Sequence, residues 1–410
     1  MTRCITRRAL LNGAIAAMAL YAQGGSALAR KPSLSFPKWV ARFRRRARAR
    51  GVSDAVYNSV MADVEPDVSV YALYRAQPEF KEKAWQYLNR RVSDWRIQRG
   101  KEAAKDHAPL LDRIEKKYGL DRYIMLGLWG MESAFGDVVT NPNHMRPVIP
   151  ALSALAWGEP RRRSYWEKEL LNALVIIQRG WARPDEMVGS WAGAMGHTQW
   201  MPEVWLNMGV DFDGDGRISP FGAPDDAFAG TARYLRERGN YRRGEGWGYE
   251  VRLPKGVSPR RRGMRSIAAW RKLGVKRANG KPFPNPREKA RLWQPVRRGP
   301  VLLVTRNFRA IKSYNPSNLY TLAICYLADQ IAGEGPFVQQ FPGGERPLSL
   351  DEIKEVQRRL TAIGFDTAGT DGRVGRATMR AVRNFQRKAG IKPADGYAGL
   401  EELNRLRKGL

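Results

Sequence analysis

Cysteine is nearly missing from this sequence, with 2 in 410 residues, Cys4 and Cys325. A disulfide scaffold or a Cys-rich zinc module needs several thiols, so both are excluded. Histidine is also scarce. The three present, His107, His144 and His197, leave little room for a histidine-rich metal site. Acids are outnumbered, with 40 Asp+Glu against 71 Lys+Arg and a formal net charge of +31. Beyond the first 29 residues there is no long apolar run. The remainder is therefore expected to be soluble, with no transmembrane segment. Disorder throughout is excluded by a hydrophobic content of 43%, enough for real cores. The length suits roughly two to three domains.

Residues 1–29 read as a secretory signal peptide. Met1 to Arg8 carries three arginines and no acid, Leu10 to Ala22 is mostly apolar, and Ala27-Leu28-Ala29 fits a small-x-small cleavage site. Thr6-Arg7-Arg8-Ala9-Leu10-Leu11 also resembles a twin-arginine signal, so Sec and twin-arginine export both stay open. Cleavage would remove three positive charges and leave +28. Such a charge calls for an anionic partner. Export and the scatter of basic residues over many short groups argue against nucleic acid. In a bacterial envelope the anionic surfaces are wall peptide carboxylates and lipopolysaccharide, although arginine also serves as plain solvated surface. The periplasm is the expected location.

Apolar spacing near 3.6 predicts helices over much of 33–110, over 112–135 with a break near Gly119, and at Ser317 to Ala332. Amphipathic helices are expected at Glu167 to Arg179 and at Pro224 to Glu237. Between about 241 and 310, glycine and proline become frequent. Short runs at Tyr249 to Leu253, Arg291 to Val296 and Val301 to Thr305 predict a small β-rich insertion there. The Gly/Pro-rich stretch 333–347 reads as an interdomain linker. Residues 348–410 read as a separate three-helix module, opened by the capping box Ser349-Leu350-Asp351-Glu352. Two DGxxG turns, Asp371 to Gly375 and Asp395 to Gly399, each precede a helical stretch. With Val356-Gln357, Leu360, Gly364-Phe365, Thr378, Ala381-Val382 and Phe385-Gln386, the tail resembles the three-helix peptidoglycan-binding domain. Leu400 stands where that family usually has threonine.

Three segments carry chemistry. Glu132 is the sole acid in the apolar run Ile124 to Gly136. Burial there would raise its pKa, as suits a general acid, and it ends in Glu-Ser-x-Phe-Gly, as the acid turn of lysozyme-like wall enzymes does. Gly189 to Pro202 is dense in small residues that let backbone approach a ligand, and Ser190 and Gln199 can hydrogen-bond sugar hydroxyls or N-acetyl groups. His197, a lone histidine in a glycine turn, is read as structural. Asp211, Asp213, Asp215 and Gly216 match the first half of a calcium loop, with the Arg217 carbonyl as the next ligand. Position 12 is Gly222 rather than glutamate, so the loop is longer or is only a series of Asx turns.

In this order, Met131-Glu132-Ser133-x-Phe135-Gly136, Gly193-Ala194-Met195-Gly196-x-x-Gln199-x-Met201-Pro202 and Val210-Asp211-Phe212-x-Gly214-Asp215-Gly216 resemble the lytic murein transglycosylase B family, glycoside hydrolase family 103. The resemblance covers about 33–332. It implies a mainly α fold: a lysozyme-like core with helical and small β-rich subdomains around a glycan groove. It implies Glu132 as the single catalytic residue and sugar contacts at Ser190, Gln199, Tyr234, Tyr314 and Tyr320. It further implies a single metal site, structural Ca²⁺ or Na⁺, at Asp211, Asp213, Asp215 and Arg217, closed by Asp226 with Asp225 as the fallback, and no cofactor for the chemistry. The sequence departs in having His197-Thr198 where the family often has an aromatic residue and glycine. The expected activity is cleavage of the β-1,4 bond between N-acetylmuramic acid and N-acetylglucosamine with closure of a 1,6-anhydro ring. Expected partners are glycan strands and other wall enzymes, and a monomer is expected. The rivals are a hydrolytic muramidase using Asp137 as a second carboxylate, and a wall-binding scaffold without activity.

Overall fold

A computed structural model describes residues 33–75, 82–139, 141–142, 144–344 and 346–409. The signal-peptide reading of 1–29 lies outside the described residues. The chain divides into two compact units. One comprises 1–78, 109–244 and 309–321, and the other 79–108, 245–308 and 322–410. The fold is mainly helical. Among the described residues no helix is long and apolar enough to cross a membrane.

In the first unit the helix Val148–Gly158 packs along Arg163–Gln178. The first of these buries Ala151, Leu152, Ala154 and Leu155 completely, and the second buries Trp166, Leu170, Ala173 and Leu174. The helix expected at Glu167 to Arg179 is present as Arg163–Gln178. Glu169 and Asn172, its polar positions, are themselves buried, because the helices Phe36–Ala49, Asp54–Met61 and Pro202–Met208 cover further sides of it. The stretch 112–135 forms two helices, Ala108–Tyr118 and Arg122–Ser133, separated at Gly119 with φ +67°. Asp121 starts the second by accepting from the Tyr123 and Ile124 N–H groups at 2.8 and 3.1 Å.

In the second unit an antiparallel sheet runs Arg265–Ser266, Lys289–Trp293, Leu302–Thr305, Gly248–Arg252 and Lys276–Arg277 from edge to edge. Its core holds Val251, Trp270, Leu292 and Leu303. The three β-like runs of the sequence fall on its long strands. Its edges, Arg265–Ser266 and Lys276–Arg277, are too short to leave a periodic signal. Within the stretch read as a linker, the Glu250 carboxylate accepts from the Val338 and Gln339 N–H groups at 2.7 Å each. Phe337 also stacks on Tyr326 with ring centres 4.4 Å apart. Residues 337–339 are thus held against the sheet and its neighbouring helix.

The C-terminal module folds as three helices, Leu350–Ala362, Arg376–Lys388 and Leu400–Arg407, around Val356, Leu360, Val382, Phe385 and Leu403. One device is used twice. The Gln357 Nε2 donates to Asp371, the Arg373 carbonyl and Thr378, while its Oε1 accepts from the Gly372 N–H at 2.8 Å. Gln386 repeats this with Asp395, the Tyr397 carbonyl, Glu402 and the Gly396 N–H. Gly372 and Gly396 have φ +77° and +76°, left-handed values that a side chain resists. The position of Thr378 is thus filled in the second repeat by Glu402, not Leu400, which corrects the alignment of that turn. Within this unit the helix Ala84–Arg91 covers the second turn. Gln86 donates to Asp395 at 2.9 Å, Asn89 to the Tyr397 hydroxyl at 3.1 Å, and Trp85 meets the Tyr397 ring edge-on at 5.2 Å.

Candidate active site

The helix Arg122–Ser133 buries Ile124 to Gly130 and Ser133, and leaves Glu132 half-buried on its last turn. Ala134, Phe135 and Gly136 then follow with φ +53°, +59° and +92°. Two successive non-glycine residues in the left-handed region are costly, and such strain persists only where surrounding bonds impose it. Ser133 imposes it here. Its hydroxyl donates to the His197 carbonyl at 2.6 Å and accepts from the Gly136 N–H at 3.1 Å.

The facing element is the tight hairpin Met195 to Trp200, closed by the Met195 N–H on the Trp200 carbonyl at 2.8 Å and the reverse bond at 2.7 Å. Gly196 has no alternative there, since a Cβ would lie 2.1 Å from the Pro220 carbonyl oxygen. His197 sits at its tip. Its Nδ1 accepts from the Trp129 indole N–H at 3.1 Å, which assigns the ring proton to Nε2, 2.8 Å from the Gly222 carbonyl. Its backbone N–H donates to the Pro220 carbonyl at 2.9 Å. One residue therefore joins the glutamate helix, the hairpin and the segment after the aspartate loop.

Tyr314 is fully buried and donates its hydroxyl to the Thr198 carbonyl at 2.5 Å. Burial first, and the charge of Glu132 second, push this phenol above its ordinary value, so it stays a neutral donor. Tyr234 meets the Tyr314 ring edge-on at 5.3 Å and donates to the Ser313 carbonyl at 2.9 Å. The Arg238 guanidinium lies 5.5 Å from the Tyr234 ring centre and forks onto Glu203 at 2.7 and 2.6 Å. Tyr234, Tyr314 and Tyr320 are all buried, so the first two hold backbone rather than present hydroxyls to solvent. Gln199, at φ +55°, donates to the Gly196 carbonyl at 3.0 Å and is half-buried. Ser190, also half-buried, accepts from the Ala194 N–H at 3.2 Å. Asp137 is exposed in the turn beyond Gly136.

Asp211, Asp213 and Asp226 bring carboxylate oxygens within 4.8 Å of one another. Burial, and then the charges of Asp213 and Asp211, raise the Asp226 pKa, while bonds from the Phe212 and Ser219 N–H groups hold that carboxylate at 2.7 and 2.9 Å. Asp215 is outside this group and accepts from the Arg217 N–H at 2.7 Å. The Arg217 guanidinium lies 3.6 Å from Glu186. Asp225 pairs with Arg113 at 2.5 Å instead. Three anionic oxygen donors at this spacing fit a hard cation such as Ca²⁺.

A helical, lysozyme-like core that presents one glutamate beside a glycine-rich hairpin is the architecture of the lytic transglycosylases. The chain belongs to that family. Residues 35–329 match the Transglycosylase SLT domain, and 349–406 match the Putative peptidoglycan binding domain. The chain is similar to SltB3 of Pseudomonas aeruginosa, solved in complex with NAG-anhNAM-pentapeptide, at 39% identity and TM-score 0.70, covering 91% of this chain and 99% of that one. It is similar to the Escherichia coli lytic transglycosylase Slt35, solved in complex with calcium, at 25% identity and TM-score 0.61, covering 72% of this chain and 93% of that one. It is also 31% identical over 157 residues to the membrane-bound lytic murein transglycosylase B of Escherichia coli K12. That alignment takes 38% of this chain and 42% of the relative, so the chain spans less than half the length of that curated protein.

The bonding of His197 generates a test. His197→Ala removes the acceptor of the Trp129 indole and the donor to Gly222, at a cost of about 2–4 kcal/mol. Denaturant unfolding of the full chain should show that loss, with glycan cleavage falling alongside it. Unchanged stability would show that His197 does not tie these elements together.

Proposed function

We propose that the chain is an exported lytic transglycosylase that cleaves the β-1,4 bond between N-acetylmuramic acid and N-acetylglucosamine in peptidoglycan. The observation that carries this reading is Glu132, half-buried on the last turn of a buried helix, with its charge acting on the buried Tyr314 phenol. Protonated, Glu132 gives its proton to the leaving glycosidic oxygen. As a carboxylate it then takes the proton of the muramic acid C6 hydroxyl, which attacks C1 and closes the 1,6-anhydro ring. An intramolecular hydroxyl has the advantage of proximity over solvent water. A muramidase would use a second carboxylate about 5–9.5 Å from the acid. Asp137 is exposed past the strained turn, and the hairpin contributes Ser190 and Gln199, which suit an N-acetyl group rather than activation of water. Tyr234 and Tyr314 act in this reading by fixing the backbone of the sugar-binding elements, and Tyr320 completes the set.

The three-carboxylate site supports a structural cation, Ca²⁺ or Na⁺, held by Asp211, Asp213 and Asp226, with Asp215 and the Arg217 carbonyl as further candidates. When bound, the ion neutralises mutual carboxylate repulsion and does no chemistry. Ser219, Pro220 and Gly222 connect this loop to His197 through bonds already described, so the ion would firm the hairpin from behind. The C-terminal module would hold the enzyme on the wall, in the periplasm.

Native protein acting on wall sacculi should release products with 1,6-anhydro ends, lighter by one water (about 18 Da) than hydrolytic products. Glu132→Gln keeps size and hydrogen bonding but cannot shuttle a proton, so its rate should fall at least ~10²-fold with the fold intact. Reducing-end products, together with an equally inactive Asp137→Asn, would instead identify a muramidase. Calcium should raise the melting temperature with concentration, and Asp213→Ala should abolish that rise. Identical melting curves in calcium and in chelator would leave the loop as a turn only.

A further inference from the structure

The first helix, Phe36–Ala49, carries five arginines, and a sixth, Arg50, caps its C-terminus. Four are engaged: Arg44 with Asn58, Arg46 with Glu167, Arg48 with Asp54 and Arg50 with Asn172. Arg42 and Arg45 are exposed and have no hydrogen-bonding or ion-pair partner among the described residues. Both line one pocket together with Arg46 and Arg163, against a single acid, Glu167, which Arg46 already neutralises. The Arg163 Nε is buried without a hydrogen-bond partner.

The pocket wall is aromatic. Trp39, Phe43 and Trp157 line it. Trp39 stacks on Phe43 at 4.9 Å, and Phe36 bridges Trp39 and Trp157 at 5.6 and 5.3 Å. Trp157 is fixed by its indole N–H, which donates to the Leu34 carbonyl at 2.9 Å. The wall is therefore rigid, and the charges stand on a helix that positions them.

Arginines three and four residues apart on one helix face repel one another. This helix keeps Arg42, Arg45 and Arg46 so placed, beside a guanidinium of Arg163 that is only partly satisfied. An anion in the pocket would relieve this repulsion and satisfy the open donors, and guanidinium forks match carboxylates in geometry. The aromatic wall would take the aliphatic part of the same ligand.

We propose that this pocket binds a carboxylate-bearing peptide, namely the anionic stem peptide of peptidoglycan, at a site separate from Glu132 and its hairpin. The identity of the ligand rests on the peptidoglycan reading above, whereas its anionic character rests on the pocket alone. Bound here, a stem peptide would hold the catalytic unit on peptide-bearing strands and supply a preference that the sugar contacts do not.

The test is calorimetric titration of the full chain with the free pentapeptide stem, without sugars. The comparison is the same peptide with its carboxylates amidated, and a second arm uses phosphatidylglycerol vesicles. The free peptide should bind, and amidation should weaken binding. Arg42→Gln combined with Arg45→Gln should weaken it about fivefold or more at an unchanged melting temperature, since each exposed charge contributes modestly. Rising salt should act in the same direction. Equal affinity for free and amidated peptide, or equal affinity of the native and doubly substituted chains, would overturn the proposal. Arginine-dependent binding to vesicles without binding to peptide would overturn it in favour of a lipid phosphate. The titration reads binding and not cleavage, so it decides this question even if the chain proves not to cleave glycan.

Discussion

The bonds made by His197 are the constraint on which the site depends. Its ring spans from the Trp129 indole to the Gly222 carbonyl, its carbonyl accepts the Ser133 hydroxyl, and its N–H reaches Pro220. Trp129 and Ser133 lie on the glutamate helix, and Pro220 and Gly222 on the segment after the aspartate loop, so His197 ties its hairpin to both. Ser133 in turn holds the left-handed turn that ends the glutamate helix, so the place of Glu132 follows from contacts made one residue away. Buried polar groups in such a network are costly to leave unpaired, which makes the arrangement stiff. In the proposed reaction Glu132 serves two oxygens in sequence, and a stiff support would hold it in place for both.

The same network explains why a loop of aspartates belongs to this architecture. Asp226 stands on the first turn of the helix Asp225–Glu237, where the helix dipole favours an anion, and it binds the backbone of Phe212 and Ser219. The loop is thereby closed even before a cation is considered. Its far end delivers Pro220 and Gly222 to His197. Charge repulsion among Asp211, Asp213 and Asp226 acts against that closure, and a cation would remove the opposition.

Much of this was legible in the sequence, and the omissions have physical causes. Glu132 stands out because an acid in an apolar run is rare and its turn is distinctive. The long strands at 248–252, 289–293 and 302–305 leave a period that a reader can count. The two DGxxG turns announce themselves because only glycine adopts their backbone cheaply. The role of His197 was hidden because the partners of its ring lie 25 and 68 positions away, and no local spacing encodes them. The burial of Glu169 and Asn172 was also hidden, because periodicity reports one apolar face and not which polar positions a neighbour will cover. The equivalence of Glu402 to Thr378 was present in the spacing, since 402 − 395 and 378 − 371 both equal 7, but a hydroxyl and a carboxylate look unrelated until each is seen to accept from the repeat's glutamine.

The most direct test of the central claim is a crystal structure of the Glu132→Gln chain with an uncleaved NAG-NAM oligosaccharide. The account predicts that the introduced amide lies within about 3.2 Å of the bridging glycosidic oxygen. It also predicts that the N-acetyl group of the muramic sugar faces the Met195 to Trp200 hairpin. A scissile bond beside Asp137, or a chain running away from position 132, would contradict it.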